Sequence, residues 1–165
     1  MKLKELLAAA TRRLEAARLA YGHGTTNARD EAIWLVLWQL GLPLDSDLDA
    51  LARHPVSTEQ QAEVDALIQR RIDTREPAAY LTGEAWLQGV SFHVDRRAIV
   101  PRSFIAELIA EGTLDLWLSE RTERVLDLCT GNGSLAVLAA LAWPQVSVTG
   151  ADLSTDALAV AAING

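Results

Sequence analysis

The chain has 165 residues, 50% apolar, 22% charged and 5% aromatic, a balance that describes one globular domain or two small ones and excludes a disordered chain. Its formal charge of -7 is uneven: residues 1–75 hold 10 basic and 11 acidic groups, whereas residues 76–165 hold 5 and 11. Direct nucleic-acid binding is therefore not expected, and the acidic half is read as serving solubility ahead of a basic protein partner. One cysteine, Cys129, permits no internal disulfide, no apolar run reaches the length of a membrane span, and the N-terminus lacks a secretory signal's unbroken apolar segment, which together predict a cytoplasmic protein without membrane contact.

Taken in order, residues 2–21 place Leu3, Leu6, Leu7, Ala10, Leu14 and Ala17 at helical spacing, with Arg12, Arg13, Glu15 and Arg18 off that stripe. This is an amphipathic helix ending near Gly22. A second helix starts behind Thr25, Thr26 or Asn27, each a suitable cap, with Asp30 and Glu31 in its first turn. Its body, AIWLVLWQL from Ala32, is apolar nearly all round and is predicted to run through the centre of a core, with Trp34 and Trp38 on one face. Gly41 and Pro43 stop it, residues 47–53 fit a short helical turn, and Ser57 with Gln60 forms a capping box for a third helix to about residue 75. That helix is expected to turn Ala66, Leu67 and Ile72 inward and to leave Arg70, Arg71 and Arg75 on a solvated face. Pro77 ends it.

Beyond Pro77 the period becomes two. Residues 84–87 and 90–94 flank Gln88-Gly89, with Val90, Phe92 and Val94 alternating against Ser91, His93 and Asp95, and so predict a β-hairpin. Ser103 then caps a helix expected to reach about residue 118. The stretch from 125 reads as strand, glycine loop, helix, strand: an apolar run to Leu128, a turn at 130–134, an alanine- and leucine-rich helix stopped by Pro144, and a second strand at 146–151. The expected fold is mixed, an all-α bundle followed by a hairpin and the first βαβ part of a Rossmann-like domain.

Gly131-Asn132-Gly133-Ser134-Leu135-Ala136 satisfies the dinucleotide pattern G-x-G-x-x-A, and Asp152 follows Gly133 by 19 positions. Asp127, four positions before Gly131, argues against a pyrophosphate, which a carboxylate at the strand end would repel, and for a ligand bearing an ammonium group. S-adenosylmethionine carries that ammonium, a carboxylate and a ribose diol, so two acids on a glycine loop suit it better than NAD. A dehydrogenase stays the weaker reading, and two bland readings stand beside both: glycines present for packing, and Asp152 as the cap of a helix starting near Ser154. His23, His54 and His93 sit on separate elements, so no metal site is predicted. Cys129 lacks a neighbouring histidine and is expected to pack beneath the loop.

On these residues the chain resembles the class I protein-glutamine N-methyltransferases that act on translation proteins. Glu76-Pro77-Ala78-Ala79-Tyr80-Leu81-Thr82-Gly83, the hairpin with Trp86 and Phe92, and Val100-Pro101-Arg102 are similar to that family's interdomain segment. Asp127-Leu128-Cys129-Thr130-Gly131-Asn132-Gly133 resembles its first cofactor motif, and Gly150-Ala151-Asp152-Leu153-Ser154 its second. Tyr21-Gly22-His23-Gly24-Thr25-Thr26-Asn27, Pro101-Arg102-Ser103 and Cys129 favour the branch that modifies ribosomal protein L-three over the release-factor branch.

The resemblance implies a substrate-docking helical domain at 1–76, a hairpin linker at 77–101 and an incomplete S-adenosylmethionine-binding α/β domain at 102–165. It implies that Asp127, Cys129, Thr130, Gly131, Asn132, Gly133 and Asp152 hold the cofactor, Asp127 at its amino group and Asp152 at its ribose hydroxyls. The partner implied is a large-subunit ribosomal protein. The family's Asn-Pro-Pro-Tyr loop, which aims the glutamine amide at the methyl group, does not occur in the sequence, so no catalytic residue is assigned. The expectation is an N-terminal piece of the enzyme, inactive alone, binding cofactor weakly or not at all, and prone to self-association through uncovered sheet; the reading of another class is a non-catalytic interaction module.

Overall fold

A computed structural model describes residues 1–22 and 24–165; His23, read from the sequence as a loop residue, lies outside the described residues. The chain divides into two compact units, Met1–Thr82 and Gly83–Gly165.

The first unit is built from α1 (Leu3–Ala16), α2 (Ala28–Gln39), α3 (Thr58–Thr74) and the short α4 (Ala78–Thr82). α1 turns Leu3, Leu6, Ala10 and Leu14 inward, the stripe that its spacing dictates. α2 packs against α1, α3 and α4, which is why it needs no polar face: Ala32, Leu35, Val36 and Leu37 are fully buried. Asn27 caps it by accepting from the Asp30 amide, and Ser57 and Gln60 form the expected reciprocal box on α3. The N-terminus is pinned by a bridge between Lys2 and Pro55, with the Leu3 amide donating to His54 O at 3.0 Å.

α3 departs from expectation in one respect. Its inward stripe is Val64, Leu67, Ile68 and Arg71, while Ala66 is exposed and Ile72 half-buried. Arg71, expected on a solvated face, is 2% exposed because Glu31 of α2, itself 3% exposed, accepts from its Nε at 2.8 Å. Thr25 donates to the same carboxylate and Arg71 Nη2 donates to Ala20 O, so the pair also holds Ala20 and Thr25. Trp34 is buried, but Trp38 is only half-buried.

The second unit opens with the hairpin β1 (Glu84–Leu87) and β2 (Val90–His93), paired antiparallel from Glu84 opposite His93 to Leu87 opposite Val90. Then come α5 (Phe104–Ala110), β3 (Arg124–Leu128), α6 (Ser134–Ala142), β4 (Ser147–Ala151) and α7 (Thr155–Asn164). α5 stops eight residues short of the expected 118, because Gly112 takes φ +68 and the chain tightens into a 3₁₀ turn over Thr113–Trp117. Asp115 of that turn accepts from Trp143 Nε1 at 2.7 Å. β3 and β4 pair in parallel with Arg124 opposite Ser147 and Leu128 opposite Ala151, the strand–helix–strand unit expected. One face of this pair is covered: Val125 and Val148 pack on a core of Phe92, Ala106, Ile109, Leu138, Ala139, Trp143 and Val146. The other is open, leaving Leu126 61% and Leu128 72% exposed.

Candidate functional site

The loop between β3 and α6 is where the sequence-derived residues meet. Asp127, half-buried at the end of β3, accepts a 2.6 Å hydrogen bond on Oδ2 from Thr130 Oγ1. The Thr130 amide donates to Ala151 O at 2.9 Å, extending the β3–β4 pairing into the loop. Gly131 (φ +58) then donates its amide to Asp152 Oδ2 at 2.9 Å. The two acids thus bracket the loop, one held through a side chain and the other through the backbone.

Asp152 is not the helix cap. Ser154 caps α7, accepting from the Ala157 amide on Oγ, and Asp152 Oδ1 accepts from Ser154 N at 2.9 Å. The donated amides, Ser154 first and Gly131 second, hold the Asp152 carboxyl below the usual carboxylate range, so it is ionised at neutral pH. Each oxygen keeps a lone pair for a further donor.

Asn132 and Gly133 face the other way, into the protein. Asn132 is 3% exposed; its Oδ1 accepts from the Ser134 amide at 3.3 Å, and its Nδ2 is a buried donor with no partner among the described residues. Gly133 precedes α6 at φ +82, and a Cβ there would stand 3.0 Å from Ala161 Cβ and 3.2 Å from its Cα. At Gly131 an added Cβ would meet nothing within 4 Å. Gly133 is required by packing, whereas Gly131 faces the open side of the loop, where a ligand would lie.

Cys129 corrects an expectation. It is exposed, not packed beneath the loop, because the backbone turns left-handed there (φ +63) and carries the thiol away from the core. Beside the loop an apolar cavity of about 550 Å³ lies between α6, α7 and β4, lined by residues such as Val137, Val148, Leu158 and Ala161 and by no charged side chain. It suits neither an ammonium nor a carboxylate. Among the described residues no cluster of three metal-ligating side chains occurs, and no helix is long and apolar enough to cross a membrane.

Sequence reasoning missed Asn164. Its Nδ2 donates to Asn132 O at 2.8 Å and to His93 O at 3.0 Å, and its Oδ1 accepts from His93 N at 2.8 Å. With partners 32 and 71 positions away, no local pattern signals the contact.

Residues 5–83 match the family model of the PrmC N-terminal domain. Over 98% of its length the chain is 55% identical to a ribosomal protein uL3 glutamine methyltransferase of Bordetella pertussis, covering 54% of that protein. It is 51% identical to the Burkholderia pseudomallei protein of the same name, covering 53% of it, and 45% identical to that of Neisseria gonorrhoeae, covering 54%, each over 98% of this chain. The chain spans about half the length of the curated relatives it matches.

Proposed function

We propose that the chain is part of a ribosomal protein uL3 glutamine methyltransferase, carrying the docking domain and part of the cofactor site of an enzyme that N-methylates a glutamine amide of a large-subunit ribosomal protein in the cytoplasm. The observation that carries the cofactor assignment is the bracketing of one glycine loop by two acids, Asp127 through Thr130 and Asp152 through the Gly131 amide. The donor set fits S-adenosylmethionine. Asp127 would meet the ammonium, Asp152 the ribose hydroxyls, and the backbone through Cys129, Thr130, Gly131, Asn132 and Gly133, open at Gly131, would wrap the methionine end. A pyrophosphate in the same place would lie against two carboxylates.

S-adenosylmethionine, when bound, supplies a methyl group made electrophilic by its sulfonium. The acceptor nitrogen of a glutamine amide is a weak nucleophile, since its lone pair is delocalised into the carbonyl, so catalysis must come from orientation and electrostatics. Within residues 1–165 the groups described hold the donor and do not aim the acceptor, and none is assigned a catalytic role. Calorimetric titration of S-adenosylhomocysteine and of NAD into the full-length protein tests the assignment. Binding of the former, abolished by Asp152→Ala, is expected; binding of NAD alone overturns it.

A further inference from the structure

We propose that Asn164, at the end of α7, is a positioning residue that sets the shape of the glycine loop by tying it to the edge of the hairpin. Its carboxamide accepts from His93 N and donates to His93 O, the same two-way exchange that a neighbouring strand would make with that residue. Those two bonds fix the orientation of the amide and leave its second N–H directed at Asn132 O, 2.8 Å away. Only a carboxamide of this length supplies one acceptor and two donors here: aspartate lacks both donors, and glutamine adds a methylene.

The same turn of α7 holds the next residue of the loop, since Ala161 lies against Gly133 so closely that no Cβ would fit. At the opposite end of α7, Asp152 and Ser154 are joined by a hydrogen bond, and Asp152 holds the Gly131 amide. The loop is therefore held at two points, at Gly131 by Asp152, which precedes α7, and at Asn132 by Asn164 at its end. The path of the loop is set by this helix and the hairpin behind it together with Asp127 of β3, which holds Thr130. The consequence for cofactor binding rests on the assignment proposed above.

The test uses Asn164→Ala, Asn164→Asp and, as a control for stability alone, Val160→Ala, which opens the small core formed with Ala98 and Ala157. Two readouts are compared: hydrogen exchange at the Gly131 and Gly133 amides without ligand, and affinity for S-adenosylhomocysteine. Both Asn164 variants are expected to speed exchange at these amides and to weaken binding about tenfold, the worth of one hydrogen bond. The Asp variant retains the acceptor for the His93 amide, so protection there persists while the loop is loosened. Val160→Ala is expected to lower the melting temperature and leave both readouts unchanged. Unaltered loop exchange in Asn164→Ala, or the same loosening in Val160→Ala, overturns the proposal. Faster loop exchange in Asn164→Ala, when the wild-type protein binds no S-adenosylhomocysteine, supports the clamp and defeats the cofactor assignment.

Discussion

Gly131 and Gly133 stand two positions apart with φ of the same sign, yet replacing them should have different effects. Gly133→Ala drives a methyl group into Ala161, including its backbone, and adds left-handed strain of about 1–2 kcal/mol, so the melting temperature should fall clearly. Gly131→Ala carries the strain without the collision. Its stability loss should be smaller while affinity for S-adenosylhomocysteine falls more, because the methyl occupies the open side of the loop; a variant that melts low and binds normally would contradict this. Asp152 yields a prediction in pH. Its native pKa is depressed by the Ser154 and Gly131 amides, so its stabilisation is complete above the unfolded value of about 3.9 and fades as pH falls through the lower native value. The stability difference between the protein and Asp152→Asn, followed by denaturant titration, should stay level from neutral pH to about 5 and close on further acidification.

Among the elements, α2 and α3 are joined by the buried Glu31–Arg71 pair. Removing one partner strands the other charge in the core, so Arg71→Ala should cost about 3–5 kcal/mol, whereas the double replacement Glu31→Leu with Arg71→Met should cost much less. Equal losses in urea would show that the pair acts only through its packing. At the start of α3, Ser57→Ala removes half of the capping box and should cost about 1 kcal/mol. The contrast between these two sites shows what was legible in the sequence. Asn27, Ser57, Ser103 and Ser154 cap helices through partners two or three residues away, so their roles can be read locally. Arg71 could not be placed in this way: its partner is 40 residues distant, and an arginine on an apolar stripe reads as solvated until that partner is known. The length of α5 was misjudged for a different reason. Gly112 is a visible breaker, but Leu114 and Leu118 beyond it stand four positions apart, the spacing of an α-helix, although the chain there forms a 3₁₀ turn.

In the whole molecule, the open face of the β3–β4 pair presents Leu126 and Leu128, with the fully exposed Leu153 just beyond β4. Aliphatic side chains grouped beside unpaired strand edges favour association. Sedimentation of the 165-residue chain should therefore show mass increasing with concentration, and Leu126→Glu with Leu128→Glu should return it to a monomer. A wild-type chain that stays monomeric throughout would remove the driving force assigned to this face. The strand period from Glu84 is legible in the sequence, whereas the short helix Ala78–Thr82 before it is not, because five residues carry too little periodicity to signal a helix. The bracketing of the glycine loop was half readable: Asp127 and Asp152 lie at the ends of apolar runs, whereas the anchoring of Asn132 by Asn164 depends on how α7 returns to the hairpin.

The left-handed turn at Cys129 has a practical outcome. It places the chain's sole thiol on the surface at the end of β3, one residue from Thr130 and two from Asp127. A fluorophore coupled there needs no competing cysteine removed, and it would report from the loop itself, its emission and its rate of attachment both sensitive to whatever fills the space beside Gly131.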